Sequence, residues 1–143
     1  MARTKKVEAE DLDRDEPKYP NQTLTLTLPL PVSVNHMYQS AGKGRRLTTA
    51  ARNYIKVAQD ICKKAKKEQG WKQDRDCVWY VMDLYFYFPD KRIRDSHNCL
   101  KLLVDCLEGL LFKNDYFLLP RIQYVTLDRD NPRLEIVYYA ATV

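Results

Sequence analysis

No stretch of this chain approaches the roughly 20 consecutive apolar residues that a membrane helix needs, and its opening, MARTKKVEAEDLDRDEPK, has none of the apolar core of a secretory signal. The chain is therefore expected to stay in the cytoplasm, away from membranes. Glycine is scarce, four in 143 residues, and none stands in a phosphate-cradling loop of the Walker type, so neither a nucleotide cofactor nor a nucleotide-driven motor is supported. No Ser-His-Asp arrangement is legible. Of the two histidines, His36 has no second metal-ligating residue close to it in sequence, which argues against a zinc site. The four cysteines, Cys62, Cys77, Cys99 and Cys106, lack C-x-x-C spacing, and Cys99 and Cys106 fall in a largely apolar helical stretch, as reduced, buried thiols do.

What remains is a length suited to one domain with a real core and a 45% hydrophobic content typical of a globule. The net charge of +5 favours an anionic partner only modestly, but its distribution is uneven. Between Lys43 and Lys72 ten basic residues (Lys43, Arg45, Arg46, Arg52, Lys56, Lys63, Lys64, Lys66, Lys67, Lys72) face two acidic ones, Asp60 and Glu68. That block alone exceeds the net charge of the whole protein.

Residues 1–20 alternate charges with almost nothing to bury and close on Pro17 and Pro20, which predicts a disordered or loosely attached tail ahead of a domain over 21–143. Thr23 to Leu28 alternates strictly, the pattern of a strand with one buried face, and Pro29 and Pro31 end it. Ser33 to Arg46, with its small residues and glycines, predicts a loop. A helix follows, capped by Thr48 or Thr49, running to about Lys67 and stopped by Gly70. Its apolar side carries Ala51, Tyr54, Ile55, Ala58, Ile61, Cys62 and Ala65, and its other side carries Arg52, Lys56, Lys63, Lys66 and Lys67. Those cations either neutralise nucleic-acid phosphates or form a solvated face. Cys77 to Phe88 predicts a long central strand covered on much of both faces. Arg121–Leu127 and Leu134–Tyr139 predict two more, joined across 128–132. The expected fold is a single compact α/β domain with a mixed sheet, in the order β-α-β-α-β-β.

The stretch from Asp95 to Asp115 organises the rest. From Asn98 to Leu111, Leu100, Leu103, Val104, Leu107, Leu110 and Leu111 recur at helical spacing, with Asp95 or Ser96 as the cap. At about 100° per residue, His97, Lys101, Asp105 and Glu108 share one arc of roughly 80° opposite the leucines. Phe112-Lys113-Asn114-Asp115 predicts a turn that returns the chain toward the helix, although periodicity does not decide whether Asp115 reaches Asp95. On spacing alone, a stripe of this kind is also what a solvated helix face looks like.

Arg94-Asp95-Ser96-His97-Asn98-Cys99-Leu100-Lys101, then Asp105-Cys106-Leu107-Glu108-Gly109, then Asn114-Asp115, resembles the R-D-x-D-N-x-x-K, D-x-L-x-G and closing acidic pair of the RusA family of Holliday-junction resolvases. Upstream, Pro31 to Tyr38 resembles that family's P-x-S-x-N-x-x-Y, and Gly44-Arg45-Arg46-Leu47-Thr48 resembles its G-R-x-x-L-S turn. Order and spacing agree from about Leu24 to Tyr139. Asp95, Lys101 and Asp115 keep the family positions, whereas His97 stands where the family has a second carboxylate and Asn114 replaces the first member of the acidic pair.

The resemblance implies a metal-dependent endodeoxyribonuclease acting on branched DNA as a homodimer. Asp95, His97, Lys101 and Asp115 would be its catalytic residues, and Asp95, His97 and Asp115 its ligands for Mg²⁺ or alternatively Mn²⁺. Phosphodiester hydrolysis suits clustered carboxylates holding one or two divalent cations, and imidazole suits Mn²⁺ better than Mg²⁺. His97 is thus a ligand, a general base or a structural histidine. Lys101 either steadies transition-state charge or pairs with Asp105. Arg45, Arg46, Lys63, Lys66, Lys67, Arg92 and Arg94 are the candidate DNA contacts. Two alternatives stand beside the nuclease: a branched-DNA binder of the same fold with impaired catalysis, and a small protein-interaction factor whose basic helix serves solubility.

Overall fold

In the computed structural model, residues 15–31, 38–42, 44–92 and 99–141 are described. Strand β1 (Thr23–Leu28) is followed by a hairpin of β2 (Tyr38–Ala41) and β3 (Gly44–Leu47), then helix α1 (Thr49–Glu68), strand β4 (Tyr80–Phe88), helix α2 (Leu100–Leu107), strand β5 (Leu118–Leu127) and strand β6 (Arg133–Ala140). The main sheet has the order β1-β6-β4-β5. β6 runs antiparallel to both β1 and β4, while β4 and β5 are parallel, so the sheet is mixed as expected. Among the described residues no helix is long and apolar enough to cross a membrane.

Each main strand forms for the reason its pattern suggests. In β1 the threonines stay exposed and Leu24, Leu26 and Leu28 are buried. β4 is central: Tyr80, Met82, Leu84, Phe86 and Phe88 enter the core on one face, and Val81 and Asp83 are buried on the other. α1 starts where Thr48 Oγ1 accepts the Ala51 N–H at 3.2 Å. It ends where Gly70, at φ 66°, lets Trp71 N donate to Lys66 O at 2.9 Å, a left-handed close that side chains with a Cβ disfavour. Ala51, Ala58 and Cys62 of α1, with Leu102, Leu103, Cys106 and Leu107 of α2, join the inner leucines of β1 and β6 in one core.

Several boundaries differ from the sequence expectation. The segment expected to be a loop up to Arg46 contains the β2–β3 hairpin, so two strands precede α1 in addition to β1. Tyr38 pairs with Leu47 and Ala41 with Gly44, and Gly42 at φ 60° supplies the left-handed residue of the tight turn. α2 is shorter than its apolar period: Glu108 turns extended and Gly109 takes φ 89°, yet Leu111 remains fully buried within the turn. The leucine pattern is satisfied by packing after helical geometry has ended. The capping residues expected at Asp95 or Ser96 lie outside the described residues. β4 begins at Tyr80, not Cys77, and β5 begins at Leu118, taking in Pro120. A proline without an N–H fits here because β5 is an edge strand.

Residues 15–20 lie along the 74–77 loop. Asp15 N donates to Cys77 O at 2.7 Å, and the buried Asp74 carboxylate accepts from Lys18 N and Tyr19 N at 2.7 and 3.0 Å. Cys62, Cys99 and Cys106 are buried and Cys77 is half-buried, all as free thiols.

Burial pushes the Cys62 thiol up to about 11, and the Cys106 thiol and Tyr80 phenol each up to about 12. Every one of these folded-state values lies above its unfolded counterpart. The native chain therefore keeps protons that the unfolded chain gives up, and stability falls as pH rises. Thermal midpoints should hold steady to about pH 8.5 and decline from about pH 9 to 12, and Cys106→Ala should make that decline shallower. A flat profile through pH 11 in the natural protein would contradict the burial of these groups.

Candidate active site

α2 carries Lys101 and Asp105 on its outer side, one turn apart. Lys101 Nζ lies 3.4 Å from Asp105 Oδ2, and both groups are well exposed. Such a pair contributes little to stability, since both ions are hydrated and hold flexible side chains, and the lysine can exchange it for a stronger anion. The expected stripe is therefore present for Lys101, Asp105 and Glu108. Asp95, His97 and Arg94 lie outside the described residues.

After α2 the chain does turn back. Gly109 N donates to Phe112 O at 2.7 Å, and Glu108 bridges to Phe112. Asn114 then caps a short 3₁₀ turn, Asp115–Phe117, its Oδ1 accepting the Tyr116 N–H at 2.9 Å. This gives Asn114 a structural task that the sequence signals only as an Asn-Asp pair before an aromatic. Asp115 is exposed, and Tyr116 and Phe117 beside it pack their rings against Trp79 at 5.5 Å.

Register fixes where Asp115 stands. Leu118, three residues on, pairs with Tyr80 at the start of β4. Asp95 follows Phe88, the last residue of β4, by seven positions. The two ends of β4 are about 26 Å apart at 3.3 Å per residue. Among the described residues no three His, Cys, Asp or Glu side chains converge on a possible metal position. The described part of the expected ligand set is Asp115 alone, and its carboxylate is of the hard-oxygen type that suits Mg²⁺.

The basic surface divides. Lys63 and Lys67 are exposed on α1, with Arg45 and Arg46 exposed on adjacent positions of β3. Arg92 is exposed after β4, with Asp90 3.6 Å from its guanidinium. Lys66 differs: its ammonium donates to Leu110 O and latches α1 to the turn after α2. Helical spacing groups it with its neighbours because a partner 44 positions away has no local signature.

A second polar centre lies outside the motif. Asp83, in the middle of β4, accepts from Arg121 Nε at 3.1 Å, Gln123 Nε2 at 2.9 Å and Tyr139 Oη at 2.8 Å. Its one signal in the sequence is a single acid within the apolar run CVWYVMDLYFYF, since a buried carboxylate needs donors. This centre lies on the sheet face away from the helices.

A small mixed-sheet α/β domain with an exposed cationic helix face and hairpin, and with Asp115 just ahead of β5, presents a surface whose charge suits a polyanion. The sequence model of the family described as endodeoxyribonuclease RusA matches residues 29–138. That span takes in most of the chain, which therefore belongs to the RusA endodeoxyribonuclease family. No curated protein gives a significant match.

The division of the basic surface is testable. Lys63→Ala with Lys67→Ala should leave stability unchanged and weaken binding to branched DNA, reducing the salt slope by about 0.9 for each phosphate that the variant no longer neutralises. Lys66→Ala should cost about 1–2 kcal/mol of folding stability by orphaning the Leu110 carbonyl. Urea melts and salt titrations of the two variants side by side check both, and a reversed pattern would show that Lys66 faces DNA.

Proposed function

We propose that this chain is a structure-selective endodeoxyribonuclease that resolves four-way DNA junctions with a divalent cation. The observation that carries the reading is the family match over 29–138, with Asp95, Lys101 and Asp115 retained at motif positions inside it. Membership implies junction resolution, and resolvases of this family depend in general on divalent metals.

In this reading Asp95, His97 and Asp115 would hold Mg²⁺, or Mn²⁺ in its place. The cation would polarise the scissile phosphate and lower the pKa of water at the site. The donor set fits such an ion, with two carboxylates offering hard oxygen and one imidazole a softer nitrogen. Lys101 neutralises charge that accumulates on the phosphate, its present partner Asp105 being exposed and 3.4 Å away. Arg45, Arg46, Lys63, Lys67, Arg92 and Arg94 line the path of the DNA backbone, where each contact releases counterions. Two copies act together, because a four-way junction offers two symmetry-related strands and one domain offers one site.

A second reading, a branched-DNA binder with impaired catalysis, is favoured by two substitutions. His97 and Asn114 remove two carboxylates from the family's acidic set, and Asn114 is engaged in capping.

Cleavage of a four-way junction, assayed in Mg²⁺ and Mn²⁺, separates the two readings. Asp95→Asn and Asp115→Asn should each abolish cutting while junction binding survives. Because Asp115 stands near the start of β4, full cutting by Asp115→Asn alone would confine the chemistry to residues that follow the strand's far end. His97→Asp should raise the Mg²⁺-supported rate and change the Mn²⁺-supported rate less, since a hard, charged oxygen replaces a neutral nitrogen. If His97 is instead the general base, that variant loses activity, and only the natural protein shows a rate rising through about pH 6 to 7.

A further inference from the structure

Helix α1 is joined to β4 by residues 71–79, which form neither helix nor strand. With no backbone ladder to fix it, such a connection takes its shape from the side chains that tether it. Two sets of tethers leave it for different parts of the chain. The first set reaches residues 15–22. Lys72 N donates to Gln22 Oε1 at 3.0 Å while Lys72 O accepts from Gln22 Nε2 at 2.6 Å, and Cys77 O accepts from Asp15 N at 2.7 Å. The buried Asp74 carboxylate accepts from Lys18 N, Tyr19 N and Arg75 N at 2.7, 3.0 and 2.8 Å, the stronger, charge-assisted kind of bond. The connection is anchored on this side.

The second set reaches the run that carries Asp115. Gln73 Nε2 donates to Leu111 O at 3.1 Å, Asp76 Oδ2 lies 3.0 Å from Lys113 Nζ, and the Trp79 ring packs at 5.5 Å against both Tyr116 and Phe117. Asp115 is thus flanked, at 111 and 113 before it and at 116 and 117 after it, by residues that touch 73, 76 and 79. Register explains the last of these contacts. Trp79 precedes Tyr80, Phe117 precedes Leu118, and the parallel pairing sets Tyr80 beside Leu118.

The tethers matter because burial lapses around Asp115. Leu111 and Phe112 are buried, Lys113 to Tyr116 are all exposed, and Phe117 is buried again. Asn114 sets the local shape of the 3₁₀ turn, but a local cap does not fix where the turn stands against the rest of the domain. Of the three tethers the Lys113–Asp76 pair contributes least, since its side chains are 73% and 64% exposed and both ions stay hydrated. Gln73 and Trp79 carry the constraint. Folding of the turn does not hang on Gln73, because Leu111 O also accepts from the buried Tyr138 Oη at 2.8 Å.

We infer that Gln73 and Trp79 are positioning residues for the Asp115 carboxylate, and that through them the 71–79 connection sets how tightly a divalent cation is held there. The inference rests on the reading of Asp115 as a metal ligand in a resolvase. A metal site loosens when the groups that orient its ligands are removed, by about 10- to 100-fold in affinity where such a group bonds a ligand directly. Gln73 and Trp79 act through one to four residues of backbone, so each should be worth less, about three- to tenfold.

Mn²⁺ is the probe, titrated against the full chain without DNA by electron paramagnetic resonance and, in parallel, as the cation for junction cleavage. Asp115→Asn marks the full loss of the ligand. Gln73→Ala and Trp79→Ala should raise the Kd for Mn²⁺ about three- to tenfold, and move the Mn²⁺ concentration for half-maximal cleavage by the same factor. In Gln73→Ala the maximal rate should return at saturating Mn²⁺, while the urea midpoint and the junction Kd in EDTA stay unchanged. Trp79→Phe, which keeps a ring against Tyr116 and Phe117, should restore the natural affinity. Gln73→Ala that holds Mn²⁺ as the natural protein does overturns the proposal, and it alone decides should Trp79→Ala misfold. Absence of Mn²⁺ binding by the natural protein, or binding that ignores Asp115→Asn, overturns it as well. The two ideas part cleanly. Mn²⁺ binding weakened by Asp115→Asn and by Gln73→Ala in a protein that cuts no junction retains the positioning role and sinks the resolvase reading. Cleavage lost in Asp115→Asn but unchanged in its Mn²⁺ requirement in Gln73→Ala and Trp79→Ala does the reverse.

Discussion

The parallel pairing of β4 with β5 is the constraint on which the rest of the architecture depends. Two adjacent parallel strands cannot be joined by a tight turn, so the chain must cross from the end of β4 back to the level of its beginning. α2 and the turn after it make that crossing, and they must cover the inner face of β4 while doing so. Leu102, Leu103, Leu107 and Leu111 are fully buried for this reason. The same topology sets Asp115 at the level where β4 begins. Leu118, three residues after Asp115, is paired there with Tyr80. The outer side of α2, with Lys101 and Asp105, spans the interval.

Legibility follows the range of the interactions. The alternation of β1, the apolar saturation of β4 and the amphipathic period of α1 are local, and each element forms where its pattern lies. The hairpin escapes such a reading because Tyr-Gln-Ser-Ala and Gly-Arg-Arg-Leu are short and largely polar, and Gly44 to Arg46 are exposed. Periodicity overruns the end of α2 because Leu110 and Leu111 continue it, although Gly109 has already released the chain from helical geometry. The Asp83 network and the Lys66 latch join residues 38 to 56 positions apart and leave no local trace. For the candidate site, residue types and order are legible through the motif, but the separation of Asp115 from the end of β4 follows from sheet register alone.

Surface charge is sorted by layer. The helix layer and the hairpin carry the exposed cations, whereas arginines on the open sheet face are matched by carboxylates. Arg121 and Arg133 each accept a fixed geometry, one toward Asp83 and one toward Asp128 and Glu135, which a solvated lysine would not hold as well. A polyanion approaching this domain is therefore drawn more to α1 than to the open sheet face. The open sheet face offers mainly apolar area and paired charge, so unpaired cations and apolar surface occupy different parts of the described domain.

The departures from the motif at 97 and 114 differ in chemical kind. At 114 the side chain's visible work is to accept one backbone N–H at the head of the 3₁₀ turn, a task that amide and carboxylate oxygens perform alike. Asparagine there preserves the turn that delivers Asp115 and gives up a negative charge next to it. The turn thus presents less negative charge around Asp115 than a carboxylate pair would. As a ligand in the proposed reading, His97 would combine a loss of charge with a change of donor atom, which bears on which cation is preferred as well as on how tightly one is held. On the proposed reading, then, position 97 differs from the motif in the kind of donor, and position 114 in charge alone.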